Sequence, residues 1–119
     1  MKLKMLAVGV LVSLPLWASA KDVTIIYTND LHAHVEPYKV PWIANGTRDI
    51  GGWANITTMV KQEKTKNSAT WFLDAGDYFT GPYISSLTKG KAIIDIMNTM
   101  NFDAVTMGNH EFDHGWDNT

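Results

Sequence analysis

Three short apolar runs alternate with two amphipathic stretches, and this alternation limits the possible folds more than any other feature of the sequence. Residues 23–28, 70–73 and 104–107 form the apolar runs, which are rich in β-branched and aromatic side chains. Between them, residues 53–64 and 91–100 carry apolar side chains at helical spacing. The order predicts an α/β fold with parallel neighbouring strands, and the near-continuous apolar runs predict strands buried on both faces.

The segments around these elements give further expectations about packing. Residues 35–52 contain two prolines and several glycines, so they are predicted to form a loop, and a loop of this length is more often functional than idle. Four aromatic residues are expected to pack the core: Trp53, Trp71, Phe72 and Phe102.

The first 20 residues have the layout of a secretory signal peptide. Two lysines precede the apolar run 5–17, and the small residues Ala-Ser-Ala follow at 18–20. The run is shorter than the roughly 20 residues that a membrane-spanning helix needs. We therefore expect residues 1–20 to engage the export machinery, and residues 21–119 to be secreted without a stable membrane anchor.

Composition excludes several classes of function. The formal net charge is -2, which argues against a broad basic surface for a nucleic-acid polymer. The sequence contains no cysteine, so it offers no disulfide framework, thiolate zinc site or cysteine nucleophile. Any metal ion must then be held by His, Asp, Glu or Asn, and the positions of the four histidines become informative.

Metal-binding residue types follow each predicted strand. They lie in residues 29–34, 74–77 and 108–115, and all four histidines fall in the first and third of these segments. Parallel strands end at the same edge of a sheet, where open α/β sheets bind ligands. Each segment alone has a plain explanation as a turn or cap, but their joint occurrence predicts one site for a divalent cation.

Individual residues in these segments have the chemistry of metal ligands. Asp30 and His32 are two apart, so they point the same way on an extended segment. Asp77 offers two oxygens and can bridge two ions, and Asn109 offers a neutral oxygen. Asp74 is expected to brace the end of its strand.

His110 is the candidate for chemistry on a substrate. Asp113 follows it by three residues and is suited to hold its ring in one tautomer. His34 and His114 are the least specific histidines, and we expect them at the surface or behind the ligands. Glu111 is expected to be structural or solvated.

These segments together resemble the calcineurin-like metallophosphoesterases, and more narrowly the secreted 5′-nucleotidase / UDP-sugar hydrolase family. The resemblance rests on residues 26–34, 74–77 and 108–113, and on the glycine pair 51–52 that this family places before its first helix. It implies an αββα sandwich, of which this chain would hold the N-terminal βαβαβ part. It also implies secretion, with the bacterial periplasm as the expected compartment.

The resemblance further implies a dinuclear site for two divalent metal ions, such as zinc or manganese. Asp30 and His32 would bind the first ion, and Asp77 would bridge both. Asn109 would bind the second ion and face the phosphate. One position departs from the family, since Asn55 stands where an arginine often follows the glycine pair.

The implied activity is metal-dependent hydrolysis of phosphoesters in nucleotides or nucleotide sugars. His110 would stabilise the transition state and Asp113 would orient it. The family's remaining ligands would lie beyond residue 119, so we expect this chain alone to bind metal weakly and to show little turnover. Three alternatives stay open: a cyclic-nucleotide phosphodiesterase, a related thiosulfohydrolase, and a non-catalytic secreted module that binds a metal or ligand.

Overall fold

The computed structural model describes residues 22–118, so the predicted signal peptide at residues 1–20 lies outside the described residues. Within 22–118, no helix is both long and apolar enough to cross a membrane. The part of the chain that the structure describes contains eight strands and α-helices in this order: β1 (Thr24–Thr28), β2 (Tyr38–Lys39), β3 (Asp49–Ile50), α1 (Trp53–Lys66), β4 (Thr70–Asp74), α2 (Tyr83–Thr88), α3 (Lys91–Met100) and β5 (Ala104–Val105).

A three-stranded parallel sheet organises the fold, with the strand order β1-β4-β5. Thr28 pairs with Asp74, and Asp74 pairs with Val105, so the three strands end side by side. This confirms the predicted α/β class with parallel strands. β5 ends at Val105, two residues before the predicted end, and the predicted long loop contains the small antiparallel hairpin β2–β3.

The helices α1 and α3 cover one face of the sheet. Trp53 and Val60 on α1 and Ile93 on α3 are buried against Phe72 of β4. The ring of Phe102 stacks on that of Phe72, with 3.9 Å between ring centroids. Helix α3 closes where Asn101 adopts the left-handed conformation, as its position after the last apolar residue predicts.

The other face of the sheet is exposed, and here one prediction is wrong. Ile25 and Trp71 are register partners and are 60% and 54% exposed, while Tyr27 on the same face is 71% exposed. The expectation of burial on both faces fails within the described residues, and Trp71 does not pack the core. Successive side chains of a strand point to opposite faces of the sheet. Every second side chain of the apolar runs therefore packs against the helices, and the others lie on the uncovered face.

An ion pair joins the C-terminal part of α1 to the residue before β5. It lies at the end of the sheet away from the loops that follow β1, β4 and β5. Lys64 Nζ lies 2.7 Å from the Asp103 carboxylate, and the backbone N–H of Phe72 donates to the same oxygen at 2.7 Å. These two donors lower the pKa of the Asp103 carboxyl.

Candidate metal centre

The loop after β1 turns sharply around Asp30 and His32. Both residues have positive φ angles, 52° and 43°. The segment is therefore not extended, although the sequence predicted an extended segment here. Their side chains nevertheless lie together, with His32 Nε2 3.6 Å from Asp30 Oδ1. Their backbone N–H groups donate to the carbonyls of Gly76 and Asp77 at 3.0 Å each. These bonds continue the contact between β1 and β4 into the loops.

A buried carboxylate holds the loop after β4 against the loop after β5. Glu111 is 0% exposed and accepts hydrogen bonds from the backbone N–H groups of Asp77 and Tyr78 at 2.9 Å and 2.8 Å. It also accepts from those of Phe79 at 3.1 Å and Gly108 at 2.5 Å. A buried charge is tolerated when it is fully hydrogen-bonded, and here the donors come from two separate loops. Of the two alternatives expected for Glu111, structural or solvated, its burial and its hydrogen bonds confirm the structural one and contradict the solvated one.

Two glycines permit the close approach of these loops. Gly76 has a φ of +98°, and a Cβ there would lie 2.9 Å from Gly108 Cα. A Cβ at Gly108 would overlap the carboxylate of Asp77, at 2.7 Å from its Cγ. The Asp77 carboxylate therefore sits directly against the backbone of the loop after β5.

His32, Asp77 and His110 form the centre of the cluster. One ligand atom from each lies within 4.8 Å of the others. The backbone N–H of His110 donates to Asp77 Oδ1 at 2.9 Å, and the rings of His32 and His110 meet edge to face at 5.0 Å. His32 Nδ1 lies 2.7 Å from the carbonyl oxygen of Thr80, which leaves Nε2 on the side of Asp30. Three loops that are distant in sequence thus place nitrogen and oxygen donors around one point.

The contact between His110 and Asp113 is present. His110 Nδ1 lies 2.7 Å from Asp113 Oδ2, and this bond raises the pKa of His110 and lowers the pKa of Asp113. The hydroxyl of Thr80 donates to the same Asp113 oxygen at 2.5 Å. The sign of both shifts favours a protonated imidazole beside an ionised carboxylate.

The family follows from comparison with known proteins. The sequence model of the calcineurin-like phosphoesterases matches residues 23–119. This chain belongs to that family. The resemblance stated from the three motifs is therefore confirmed.

Several relatives of this chain are named as 5′-nucleotidases. It is 36% identical to the 5′-nucleotidase of Bos taurus over 117 residues, which cover 95% of this chain and 20% of the relative. The probable 5′-nucleotidase of Treponema pallidum is 36% identical over 97 residues, which cover 79% of this chain and 16% of the relative.

Two solved structures share the fold. The Haemophilus influenzae NAD nucleotidase matches with a TM-score of 0.73 and 34% identity, covering 81% of this chain and 18% of that one. The 5′-nucleotidase precursor from Thermus thermophilus matches with a TM-score of 0.69 and 33% identity, covering 76% and 18%. The chain thus spans about a fifth of the length of these relatives.

The remaining sequence-predicted residues of this chain lie around the cluster. Asn109 is exposed and precedes the short 3₁₀ turn that carries His110. Asp74 braces the strand end as expected, since it accepts from the Thr28 hydroxyl at 2.6 Å and the Gly76 N–H at 2.9 Å. Burial raises the pKa of the Asp74 carboxyl.

Two histidines lie outside the cluster, as expected. His34 is exposed, with its ring centroid 5.6 Å from that of Tyr38. His114 is partly buried behind Asp113 and contributes to lowering the pKa of that carboxyl.

The sequence did not indicate Thr80, it gave no role to Gly108 although this residue lies in the motif 108–113, and it did not predict what Glu111 binds. Thr80 contacts both histidine-bearing loops, yet a threonine between Phe79 and Gly81 carries no motif that indicates this. Gly108 directly follows the last predicted strand, and its position at a strand end was the one available signal.

Proposed function

We propose that the cluster at the carboxyl ends of β1, β4 and β5 is part of a two-metal centre in an enzyme that hydrolyses phosphoesters of nucleotides. The observation that carries this proposal is the convergence within 4.8 Å of one side-chain atom each from His32 and Asp77, which we assign to the metal ions, and from His110, which we assign to the substrate. Imidazole nitrogen and carboxylate oxygen are donors that zinc and manganese accept. The donor set therefore fits a divalent cation.

The proposed ligands come from three loops. Asp30 and His32 would hold the first divalent ion, Asp77 would serve both ions, and Asn109 would hold the second and face the phosphate. Four protein ligands are few for two ions. We therefore propose that further ligands come from chain outside residues 22–118, as the greater length of the relatives supports.

His110 handles the proton in this proposal. Its Nδ1 is engaged by Asp113, which leaves Nε2 available for a substrate oxygen. The raised pKa keeps the imidazole protonated to higher pH, so Nε2 can donate to a phosphate oxygen or to the leaving group. A bound divalent ion supplies Lewis acidity, which polarises phosphate oxygens and allows attack by water near neutral pH.

The substrate class and the compartment belong to the same proposal. The relatives are named as 5′-nucleotidases and an NAD nucleotidase, and these names support a nucleotide or nucleotide-sugar substrate. The signal-peptide pattern at residues 1–20 supports secretion, and we propose the bacterial periplasm as the compartment.

Replacing the proposed proton donor tests this function. In the protein expressed from its complete reading frame, we expect His110→Ala to lower kcat for AMP hydrolysis by about 10²–10³-fold. The bound metal, measured by elemental analysis, should stay at the parental level because His110 is not assigned as a ligand. Parental turnover by His110→Ala would contradict the role of His110, and a parent that hydrolyses no nucleotide with any divalent ion would contradict the function.

A further inference from the structure

Thr80 contacts both halves of the cluster at once. Its carbonyl oxygen lies 2.7 Å from Nδ1 of His32, and its hydroxyl donates to Asp113 Oδ2 at 2.5 Å. The same Asp113 oxygen lies 2.7 Å from His110 Nδ1. Thr80 therefore contacts Nδ1 of His32 directly and is linked to Nδ1 of His110 through the Asp113 carboxylate.

The backbone around Thr80 is fixed from both sides. The N–H of the preceding residue, Phe79, donates to the buried Glu111 carboxylate at 3.1 Å. On the other side, a Cβ at Gly81 would lie 2.7 Å from the carbonyl carbon of His32, so Gly81 packs directly on that loop. Thr80 is thus held between the two loops by its neighbours on either side.

We propose that Thr80 is a positioning residue that orients both histidines of the proposed metal centre. When His32 Nδ1 donates to the Thr80 carbonyl, the proton is fixed on Nδ1 and Nε2 carries the lone pair toward Asp30. The Thr80 hydroxyl holds the Asp113 carboxylate in the orientation that grips His110 Nδ1. This inference rests on the proposed function, in which His32 binds a metal ion and His110 donates a proton to the substrate.

A threonine suits this task better than the other small residues. The hydroxyl is needed as a donor, since Asp113 is solvent-exposed and has no other donor besides His110 among its described hydrogen bonds. Branching at Cβ restricts χ1 and so limits the directions in which the hydroxyl can point. A side chain without the hydroxyl would leave Asp113 free to turn toward water and release His110.

Two substitutions separate the hydroxyl from the bulk of the side chain. In the protein expressed from its complete reading frame, Thr80→Val keeps the shape and the carbonyl that His32 uses but removes the donor to Asp113. We expect about a ten-fold loss of kcat for AMP, because residues behind the reacting groups typically contribute 10–100-fold. KM and bound metal should stay at the parental level, and Thr80→Ser should restore most of kcat.

The matched control is Thr65→Val, which removes an exposed hydroxyl on α1 that donates to the Lys61 carbonyl. We expect this variant to keep the parental kcat. Parental kcat in Thr80→Val, or an equal loss in Thr80→Ser, would overturn the proposal.

A measurement that does not depend on activity distinguishes this inference from the proposed function. With ¹⁵N-labelled histidine, we expect Thr80→Val to change the ring-nitrogen signals of His110 and to leave those of His32 unchanged. An unchanged His110 spectrum would overturn the positioning role whether or not the parent is active. If the parent has no nucleotidase activity but Thr80→Val still changes the His110 spectrum, the proposed function is contradicted, while the contact from Thr80 through Asp113 to His110 is supported.

Discussion

Long-range hydrogen bonds hold the loops at the carboxyl ends of the strands. Local hydrogen bonds hold the turn of the hairpin segment 38–50. Glu111 joins the backbone of Asp77 to that of Gly108, across more than 30 positions in the sequence. In the hairpin segment, the turn is held by neighbours, as when Ile43 N–H donates to the Val40 carbonyl. Trp42 in that turn is 84% exposed.

This difference shows where the chain requires a defined geometry. The strand-end loops need a buried carboxylate and glycines because they must place side chains from three segments together. The hairpin segment needs only local turns, since the structure places only Val40 of its apolar side chains in a buried position. The same substitution should therefore have unequal effects in the two regions.

Asp77→Asn should give the largest effect. The amide removes the negative charge that we assign to both ions, so we expect metal affinity to fall by at least about 100-fold and turnover to fall with it. Isothermal titration with Mn²⁺ and AMP turnover measure the two losses. Asp49→Asn in the hairpin is the matched control and should change neither, and equal losses in both variants would remove the distinction between the regions.

Glu111→Gln should give a smaller but still large effect. The amide keeps one acceptor oxygen and places an NH₂ group against backbone donors, so we expect a loss of about 1–3 kcal/mol in the free energy of unfolding. Urea denaturation measures this loss. Glu36→Gln, in an exposed part of the loop 35–52, serves as the control with an expected change below about 0.5 kcal/mol. If both variants unfold at the parental urea concentration, Glu111 does not hold the loops together.

The ion pair between Lys64 and Asp103 gives the smallest of the three effects, because it is long-range but exposed. Since the pKa of Asp103 is lowered in the folded state, its stabilisation is present above the ordinary pKa of Asp and is lost as pH falls through the folded value. Asp103→Asn should therefore lower the melting temperature at pH 7 and have less effect at pH 2–3.

Asp95→Asn is the control for this pair, since Asp95 pairs locally with Lys91 on α3 at 2.6 Å. We expect a smaller change in melting temperature from this local pair. A pH-independent effect of Asp103→Asn would show that the charge of Asp103 is not what stabilises the fold.

The sequence was sufficient to predict the three strands of the parallel sheet, two of the three α-helices in the described residues, and the edge of the sheet where the candidate site lies, but not α2 or the β2–β3 hairpin. The apolar runs marked β1 and β4, the spacing of Ile93, Ile94 and Met97 marked α3, and the polar residues after each strand marked one edge of the sheet. Those signals are local periodicities, which a sequence displays directly.

The details that depend on distant partners were not predictable in this way. The exposure of Trp71 depends on what covers the second face of the sheet, which a strand pattern does not state. The bonds of Glu111 and Thr80 join loops about 30 residues apart, and no spacing rule connects them. The left-handed turn at Asp30 and His32 likewise follows from hydrogen bonds to the loop after β4.

Paramagnetic broadening by Mn²⁺ tests the convergence of the three loops most directly. In the ¹⁵N-labelled protein expressed from its complete reading frame, we expect substoichiometric Mn²⁺ to reduce first the amide signals of His32, Asp77 and His110. The signals of Trp42 in the hairpin and of Asn67 at the opposite end of the sheet should persist. Broadening confined to one loop, or strongest at Trp42, would contradict a metal centre built from all three strand ends.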